Sequence, residues 1–429
     1  MSVPRVLESF LEKREELEKE KATSKARPKP KPRLPKRKDK EPKDVVDFGH
    51  ISSVDYKYAD IVNDDVRQDL AVLHHVLKHS RRLIVVTGAG ISVSAGVPDF
   101  RSQTGLFTTL KGDLKLKSSG KEMFDASVYQ DGQATSNFHS TVKDLHKLCN
   151  SASPTRFHEY LNEISNEGRL ARLYTQNIDC LDTRLSGLST KIPLERPWPK
   201  TVQLHGTINT MVCSKCHWTL PLQPDLFDTE EVGQVPDCPE CLELDGVRKV
   251  AGKRTQGVGK LRPRIVLYNE GNPDAEAIGS VSEFDLNSRP DGLIVVGTTL
   301  KIPGVKRIVR EMAQAVHAAK GAVVWMNIDD PPQFYNMKEF ENTFDLIVKG
   351  DCQIIPQLIE DYDQEKQQIA HEKEQLKEQR RQKSLTKKTQ TKVSDTFKIS
   401  KPSQQPIKKE QSPAKVEYTK SDLNYILHN

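Results

Sequence analysis

LIVVTGAGISVSAGVPDFR, residues 83–101, is the stretch from which the fold is read. Leu83 to Thr87 are apolar or β-branched without alternation, the pattern of a parallel strand covered on both faces. Gly88, Ala89 and Gly90 follow at once, a turn whose backbone N–H groups are expected to close around an anionic group such as a pyrophosphate. The ordinary dinucleotide fingerprint places a third glycine at position 93 and an acid about 20 residues later. Val93 stands there instead, and the next glycine, Gly96, leads into Pro98-Asp99-Phe100-Arg101. That departure argues against a nicotinamide oxidoreductase.

Outward from this turn the same grammar repeats. Asn63-Asp64-Asp65 is a helix-start signal, and Val66, Leu70, Leu73, Val76 and Leu77 recur at helical spacing, so a helix delivers the chain to the Leu83 strand. Further buried strands are expected at Leu170–Thr175, interrupted by Arg172, and at Leu293–Val296, Ala322–Met326 and Leu346–Val348. Each ends in a polar cluster: Gln176-Asn177-Ile178-Asp179, Gly297-Thr298-Thr299, Asn327-Ile328-Asp329 and Gly350-Asp351-Cys352. Open α/β sheets bind ligands beyond the carboxyl ends of their strands, so five clusters converge on one groove. Between them, Val305, Ile308, Val309, Met312, Ala313 and Val316 form a core-facing helical stripe that Gly321 stops. Residues 105–165 read as a mostly helical insertion, with Phe107, Phe124, Tyr129 and Phe138 for a small core. The fold class is α/β.

Four of the seven cysteines form two CxxC pairs, Cys213/Cys216 and Cys238/Cys241, about 21 residues apart, and Cys149, Cys180 and Cys352 stand alone. This is close to the spacing of a tetrahedral four-cysteine zinc ribbon, whose four sulfurs leave no position for water, so a structural metal is expected, with a redox CxxC as the alternative, and the pattern argues for a reducing compartment rather than a disulfide framework. Just before it, Val202-Gln203-Leu204 reads as a short alternating strand that hands the chain to His205-Gly206.

With these pieces in hand the chain resembles the sirtuins, the NAD-dependent protein-lysine deacylases. GAGIS, GVPDFR, TQNID, LHG, the four cysteines, GTTL and GDC occur in the family order over roughly residues 60–360. The resemblance implies a Rossmann-like large domain, a small domain of zinc ribbon and helical module, and NAD with one structural zinc ion. It implies that NAD is cleaved at its nicotinamide–ribose bond and that an acetyl-lysine oxygen captures the ribose carbon, leaving nicotinamide and O-acetyl-ADP-ribose. By the same resemblance Asn177 and Asp179 stand at the cationic sugar, where amide and carboxylate groups stabilise charge. His205, with an ordinary histidine pKa near about 6.5, is the base for a ribose hydroxyl.

By the same resemblance Gly88, Ala89, Gly90 and Arg101 would hold the phosphates, Asp99 and Phe100 would lie at the nicotinamide end, Gln176 near the ribose, and Thr298, Thr299, Asn327, Ile328, Asp329 and Cys352 along the adenosine half. Ile91, Ser92, Ala95, Gly96, Pro98, Ile178 and Gly297 would complete the NAD site. For the acetyl-lysine peptide the resemblance points to Val266, Tyr268 and Asn269, where asparagine replaces the family's usual glycine and so alters a point of close backbone approach. Together with Thr299 and the shifted Pro303, this resembles a fungal branch of nuclear sirtuins acting on core histones. No Tyr-x-x-Arg pair follows the GVPDFR loop, so acetyl is the favoured acyl group.

The ends differ from the middle. The net charge of +6 is concentrated there. Val6, Leu7, Phe10 and Leu11 mark a possible short helix, and residues 25–38 form a Pro- and Lys-rich extended arm suited to nuclear import or weak nucleic-acid contact. From Asp363 the chain is expected to be a solvated helix as far as Gln382, then a Lys- and Ser-rich tail ending in Leu423, Tyr425, Ile426 and Leu427. The expected division is a basic arm 1–44, a catalytic domain 45–362 with helical insertion 105–165 and zinc module 206–255, and a charged tail 363–429. No apolar run approaches a membrane span, and no signal peptide opens the chain, so an intracellular protein acting in the nucleus on acetylated chromatin is expected. The alternatives are a protein ADP-ribosyltransferase on the same fold and a catalytically silent chromatin scaffold, the latter disfavoured by the presence of Asn177, Asp179 and His205.

Overall fold

The computed structural model describes residues 45–49, 55–62, 64–99, 120–229, 231–329 and 343–395, with Leu34 and Ile51. Asn63, Phe100, Arg101, Phe107, the Val6–Leu11 set, the basic arm apart from Leu34, and the end of the tail lie outside the described residues. Residues 1–362 form one compact unit and 363–429 a second.

The centre of the first unit is a seven-stranded sheet. Its strands are β1 (Val45–Asp47), β2 (Leu83–Thr87), β3 (Leu170–Thr175), β4 (Thr201–Gln203), β8 (Gly292–Val296), β9 (Ala322–Asn327) and β10 (Leu346–Lys349), in the spatial order β1-β10-β9-β8-β2-β3-β4. Every neighbouring pair is parallel. Parallel strands require crossovers that cover both faces, which is why β2, β8 and most of β9 are fully buried runs without alternation. Leu83 and Val85 enter one core with helix α1 (Asp64–His79), and Ile84 and Val86 enter the other with α5 (Ala275–Asn287) and α6 (Pro303–Ala318). The whole apolar stripe of α6 is buried, as its spacing predicts. Its stop falls one residue earlier than expected: Lys320 takes the left-handed turn (φ 57°), and Gly321 N–H closes on Val316 O at 2.8 Å.

Three sequence expectations need adjustment. The strand before His205 is Thr201–Gln203, buried at every position, because it is an edge strand of the large sheet with both faces covered. Arg172 does not interrupt β3. It is 4% exposed and gives a two-pronged pair to Asp285 of α5 (2.9 and 2.8 Å), and Tyr174 Oη donates to the same carboxylate at 2.7 Å. A buried charge is tolerated where its partner and hydrogen bonds are complete. The terminal helix, α7 (Ile355–Asp395), begins earlier and runs further than Asp363–Gln382, and Ile355, Leu358, Ile359 and Tyr362 of its first turns lie in the first core.

A second, antiparallel sheet, β6 (Thr219–Pro221), β5 (Gly206–Cys213) and β7 (Leu261–Ile265), carries the cysteines with helix α4 (Pro239–Val250). The helical run expected over 105–165 divides between cores. Phe124, Phe138, Val142 and Leu145, the last three on helix α2 (Gly132–Ser151), join the cysteine module in a third core, whereas Phe157, Tyr160, Leu161 and Ile164 of α3 (Arg156–Asn166) pack on the large sheet.

His139 of α2 is stacked on Phe227 at 4.1 Å and is 3% exposed, and burial pushes its imidazole down to about 4. Its Nε2 has no hydrogen-bond partner among the described residues. A depressed histidine contributes stability that is full above its unfolded pKa of about 6.5 and is lost as pH falls through that value toward 4. Thermal unfolding followed from pH 7 to pH 4.5 is expected to show a steeper loss in the native chain than in His139→Phe, by at most about 3 kcal/mol. Equal slopes would remove His139 as the cause.

Candidate active site

The carboxyl edge of the parallel sheet gathers the polar clusters. Their turns are laced side by side: Gly350 N–H donates to Asn327 O (2.9 Å), Asn327 Nδ2 to Thr298 O (3.2 Å), and Gln176 Nε2 to Thr298 Oγ1 (2.8 Å) and Thr87 O (3.2 Å). Gly297, Thr298 and Thr299, Asn327 to Asp329, and Cys352 thus stand in one row with the glycine turn and the Gln176–Asp179 loop. Ile328 and Asp329 are exposed at one end of it, and Cys352 is buried with its thiol pushed far up by that burial.

The glycines act differently from expectation. Gly88 N–H bonds Val296 O (3.1 Å) and Gly90 N–H bonds Gly297 O (2.9 Å), so these two donors face the next strand. A Cβ at Gly88 would lie 2.6 Å from Gly297 O, and one at Gly90 2.8 Å from Gly297 Cα. Glycine is needed here so that two turns can touch. Ile91 and Ser92 follow in a short helical turn, with Ala95, Gly96, Pro98 and Asp99 leading away from it.

Ser92 connects this turn to the Gln176–Asp179 loop. Its hydroxyl donates to Asp179 Oδ2 at 2.7 Å and accepts from Asn177 Nδ2 at 3.3 Å, while Leu181 N–H donates to Asp179 Oδ1 at 3.0 Å. With the amide nitrogen committed to Ser92, Asn177 presents its Oδ1, a buried acceptor without a partner among the described residues. Asn177, Ile178 and Asp179 line a small cavity with Ala89, Val97 and Pro98. Burial and the nearby Asp182 carboxyl raise Asp179, against the opposing pull of Ser92 and the Leu181 N–H. Thr175, which sequence reading did not single out, steadies the loop from below: its Oγ1 accepts the Asn177 N–H at 3.1 Å. Nothing in a threonine at a strand end distinguishes it from an ordinary core residue.

His205 follows β4 into the same place. Its Nδ1 lies 3.0 Å from Gln176 O. A carbonyl can only accept, so Nδ1 carries the hydrogen and, in the neutral ring, Nε2 carries the lone pair. Gly206 makes the turn possible: its φ is 81°, and a Cβ there would lie 2.0 Å from Arg264 O of β7.

The segment beyond β7 leaves the small sheet at once. Val266 N–H bonds His205 O (3.0 Å), and Tyr268 is bridged on both sides, its N–H to Phe124 O (2.7 Å) and its O to Ala126 N–H (3.0 Å). Asn269 keeps the left-handed backbone (φ 61°) that the family's glycine would supply, a conformation asparagine tolerates better than most side chains. Its Nδ2 donates to Asp125, a partner that sequence spacing could not reveal.

The four sulfurs of Cys213, Cys216, Cys238 and Cys241 lie within 4.8 Å of one another. The Cys213–Cys241 and Cys216–Cys238 separations are 3.8 and 3.7 Å. A tetrahedron with Zn–S bonds of about 2.3 Å has an edge of about 3.8 Å, so the donor set fits a four-thiolate zinc ion. Phe100 and Arg101 are the predicted site residues that lie outside the description.

A Sir2 family model matches residues 88–304. The NAD-dependent protein deacetylase hst4 of Schizosaccharomyces pombe is 52% identical over 288 residues, covering 67% of this chain and 68% of that protein. The NAD-dependent histone deacetylase HST4 of Saccharomyces cerevisiae is 46% identical over 320 residues, 73% of this chain and 83% of the relative. A third, the NAD-dependent protein deacetylase hst4 of Emericella nidulans, is 48% identical over 297 residues, 68% of this chain but 49% of the relative.

Proposed function

This chain belongs to the Sir2 family, and from that premise we propose that it removes acetyl groups from lysine side chains of core histones, consuming NAD. The observation that carries this reading is the orientation of His205, whose Nδ1–H is given to Gln176 O so that Nε2 is the basic nitrogen beside the loop bearing Asn177 and Asp179. NAD supplies a glycosidic bond whose breakage yields a ribose carbon able to take the acetyl oxygen. The chain's residues divide the remaining work. Asn177 Oδ1 and the Asp179 carboxylate offer negative potential in a water-poor pocket, where electrostatic stabilisation of a developing cation is strong. His205 Nε2 takes a proton from a ribose hydroxyl, and Gln176, held by Thr298, orients that ribose.

Gly88, Ala89 and Gly90 would hold the phosphate side of NAD, and Thr298, Asn327 and Cys352 would border its adenosine. Val266, Tyr268 and Asn269 would meet the peptide, and the segment that carries them is held by the hydrogen bonds of Tyr268 to Phe124 and Ala126. Zinc on the four cysteines fixes the small domain. The name of the Saccharomyces cerevisiae relative, a histone deacetylase, supports a histone substrate. In this reading the chain acts in the nucleus, residues 45–362 are the catalytic domain, and the basic arm is a targeting or weakly nucleic-acid-contacting extension. Among the described residues no helix is long and apolar enough to cross a membrane.

Mass spectrometry of products from acetylated core histones and NAD decides the matter. Free lysine, nicotinamide and O-acetyl-ADP-ribose in equal amounts are expected. ADP-ribose attached to protein with acetyl groups intact would replace the deacetylase by an ADP-ribosyltransferase, and no NAD consumption would favour the silent scaffold.

A further inference from the structure

Behind the catalytic loop two buried polar atoms face each other with no other partner among the described residues. His158 Nε2, on α3, lies 3.6 Å from Asp182 Oδ1, just past the loop, and both residues are at most 1% exposed. Such atoms are uncommon in native interiors, and each leaves a desolvation penalty unless something compensates it. The rest of the network shows why they are held there. Thr155 N–H donates to His158 Nδ1 at 3.2 Å. A backbone N–H can only donate, so Nδ1 is the acceptor and the ring hydrogen of neutral His158 sits on Nε2, facing Asp182.

The Thr175 hydroxyl lies close enough to Asp182 to pull its carboxyl pKa down against burial. The same Thr175 Oγ1 takes the Asn177 N–H. One chain of contacts therefore runs from His158 through Asp182 and Thr175 to the backbone of Asn177. On its other side, Thr155 Oγ1 lies 3.2 Å from Ile91 O, which also accepts from Gln353 Nε2 at 3.1 Å. His158 is thus the point at which α3, the glycine turn and the loop meet through one set of polar contacts.

We propose that His158 and Asp182 are a positioning pair that fixes the backbone of the Gln176–Asp179 loop, and through it the aim of Asn177 Oδ1 and Asp179. Neither touches the reacting atoms. Burial lowers the imidazole to about 4 and raises the Asp182 carboxyl to about 7, so near neutrality the ring is uncharged and donates a single hydrogen toward the carboxyl group. That geometry tolerates little movement: a few tenths of an ångström toward each other completes the hydrogen bond, and any outward slip exposes two orphan atoms.

The test uses the full chain with His158→Asn, Asp182→Asn and the double variant. An asparagine Oδ1 occupies the place of Nδ1, so the helix cap from Thr155 is kept while the group facing Asp182 is removed. Asp182→Asn is isosteric and carries the test should His158→Asn fail to fold. Amide hydrogen exchange without NAD is expected to speed about tenfold or more over residues 176–182 in either single variant, while β2, β8 and β9 exchange as in the native chain. The double variant is expected to lose no more than the worse single variant.

The kinetic arm rests on the deacetylase reading. The nicotinamide exchange rate at saturating substrate should fall about tenfold, with the KM for acetylated peptide changed less than twofold. Native exchange over 176–182 in the Asp182 variant would overturn the pair, as would equal loosening of all strands. If the native chain releases no nicotinamide, the deacetylase reading falls, and hydrogen exchange alone still decides the positioning role.

Discussion

Replacing His205 with alanine is expected to reduce the release of deacetylated lysine by about 10²- to 10⁴-fold, the range for loss of a general base. The fold should be unaffected. His205 is half-buried at the end of β4, and its side chain bonds a carbonyl of a loop that Thr175, Ser92 and Leu181 also secure. The effect should be unequal across the reaction. In the proposed mechanism deprotonation of a ribose hydroxyl follows nicotinamide departure, so nicotinamide exchange should fall less than lysine release in the same variant. Both rates, measured on one acetylated histone peptide with thermal unfolding as control, check this. A parallel fall would place His205 in binding or orientation, and an unchanged lysine release would remove it from the chemistry.

Taking away the metal is expected to have the second large effect, on a different part of the molecule. The third core includes Cys213, Cys238 and Cys241, with Ile208 and Met211 of β5 and Leu261 of β7, so metal loss removes the common partner of four sulfurs at the centre of a small core. Four-thiolate zinc sites bind with about 10–16 kcal/mol, more than such a module could supply alone. Chelation, or Cys241→Ser, should release one equivalent of zinc and strip hydrogen-exchange protection from β5 and β7. Strands β8 and β9 should keep theirs, because the two cores they enter contain none of the four metal-site cysteines. Activity should fall with the module, since Val266 N–H is bonded to His205 O just past β7. Protection lost equally from β8 and β9 would show that the cluster stabilises the whole first unit, and protection retained everywhere would deny the metal a structural role.

Some of this was legible because the interactions are local. Unalternating runs such as Leu83–Thr87 announce burial on both faces, α6 announces its packing face by period, and the cysteine knuckles announce a metal by their spacing. Arg172 was misleading for the opposite reason. A charge in an apolar run reads as an interruption until its partner is known, and Asp285 lies more than a hundred residues away. The glycine turn was half legible: its small residues are read from the sequence, but their close contact with Gly297 is not, because that partner lies on another strand end.

By itself the sequence determined the α/β class, the carboxyl-edge clusters, the four thiolates and the presence of Asn177, Asp179 and His205, because each is written in neighbouring residues or in short spacing. Only the tertiary structure decided which atom of each residue is available. The tautomer of His205 depends on Gln176 O, the outward acceptor of Asn177 on Ser92, the left-handed Asn269 on its place beside Asp125, and the facing of His158 and Asp182 on the approach of α3 to β3. Hydrogen-bond direction is set by whichever donor or acceptor packing brings within about 3 Å, and chain order carries no record of that.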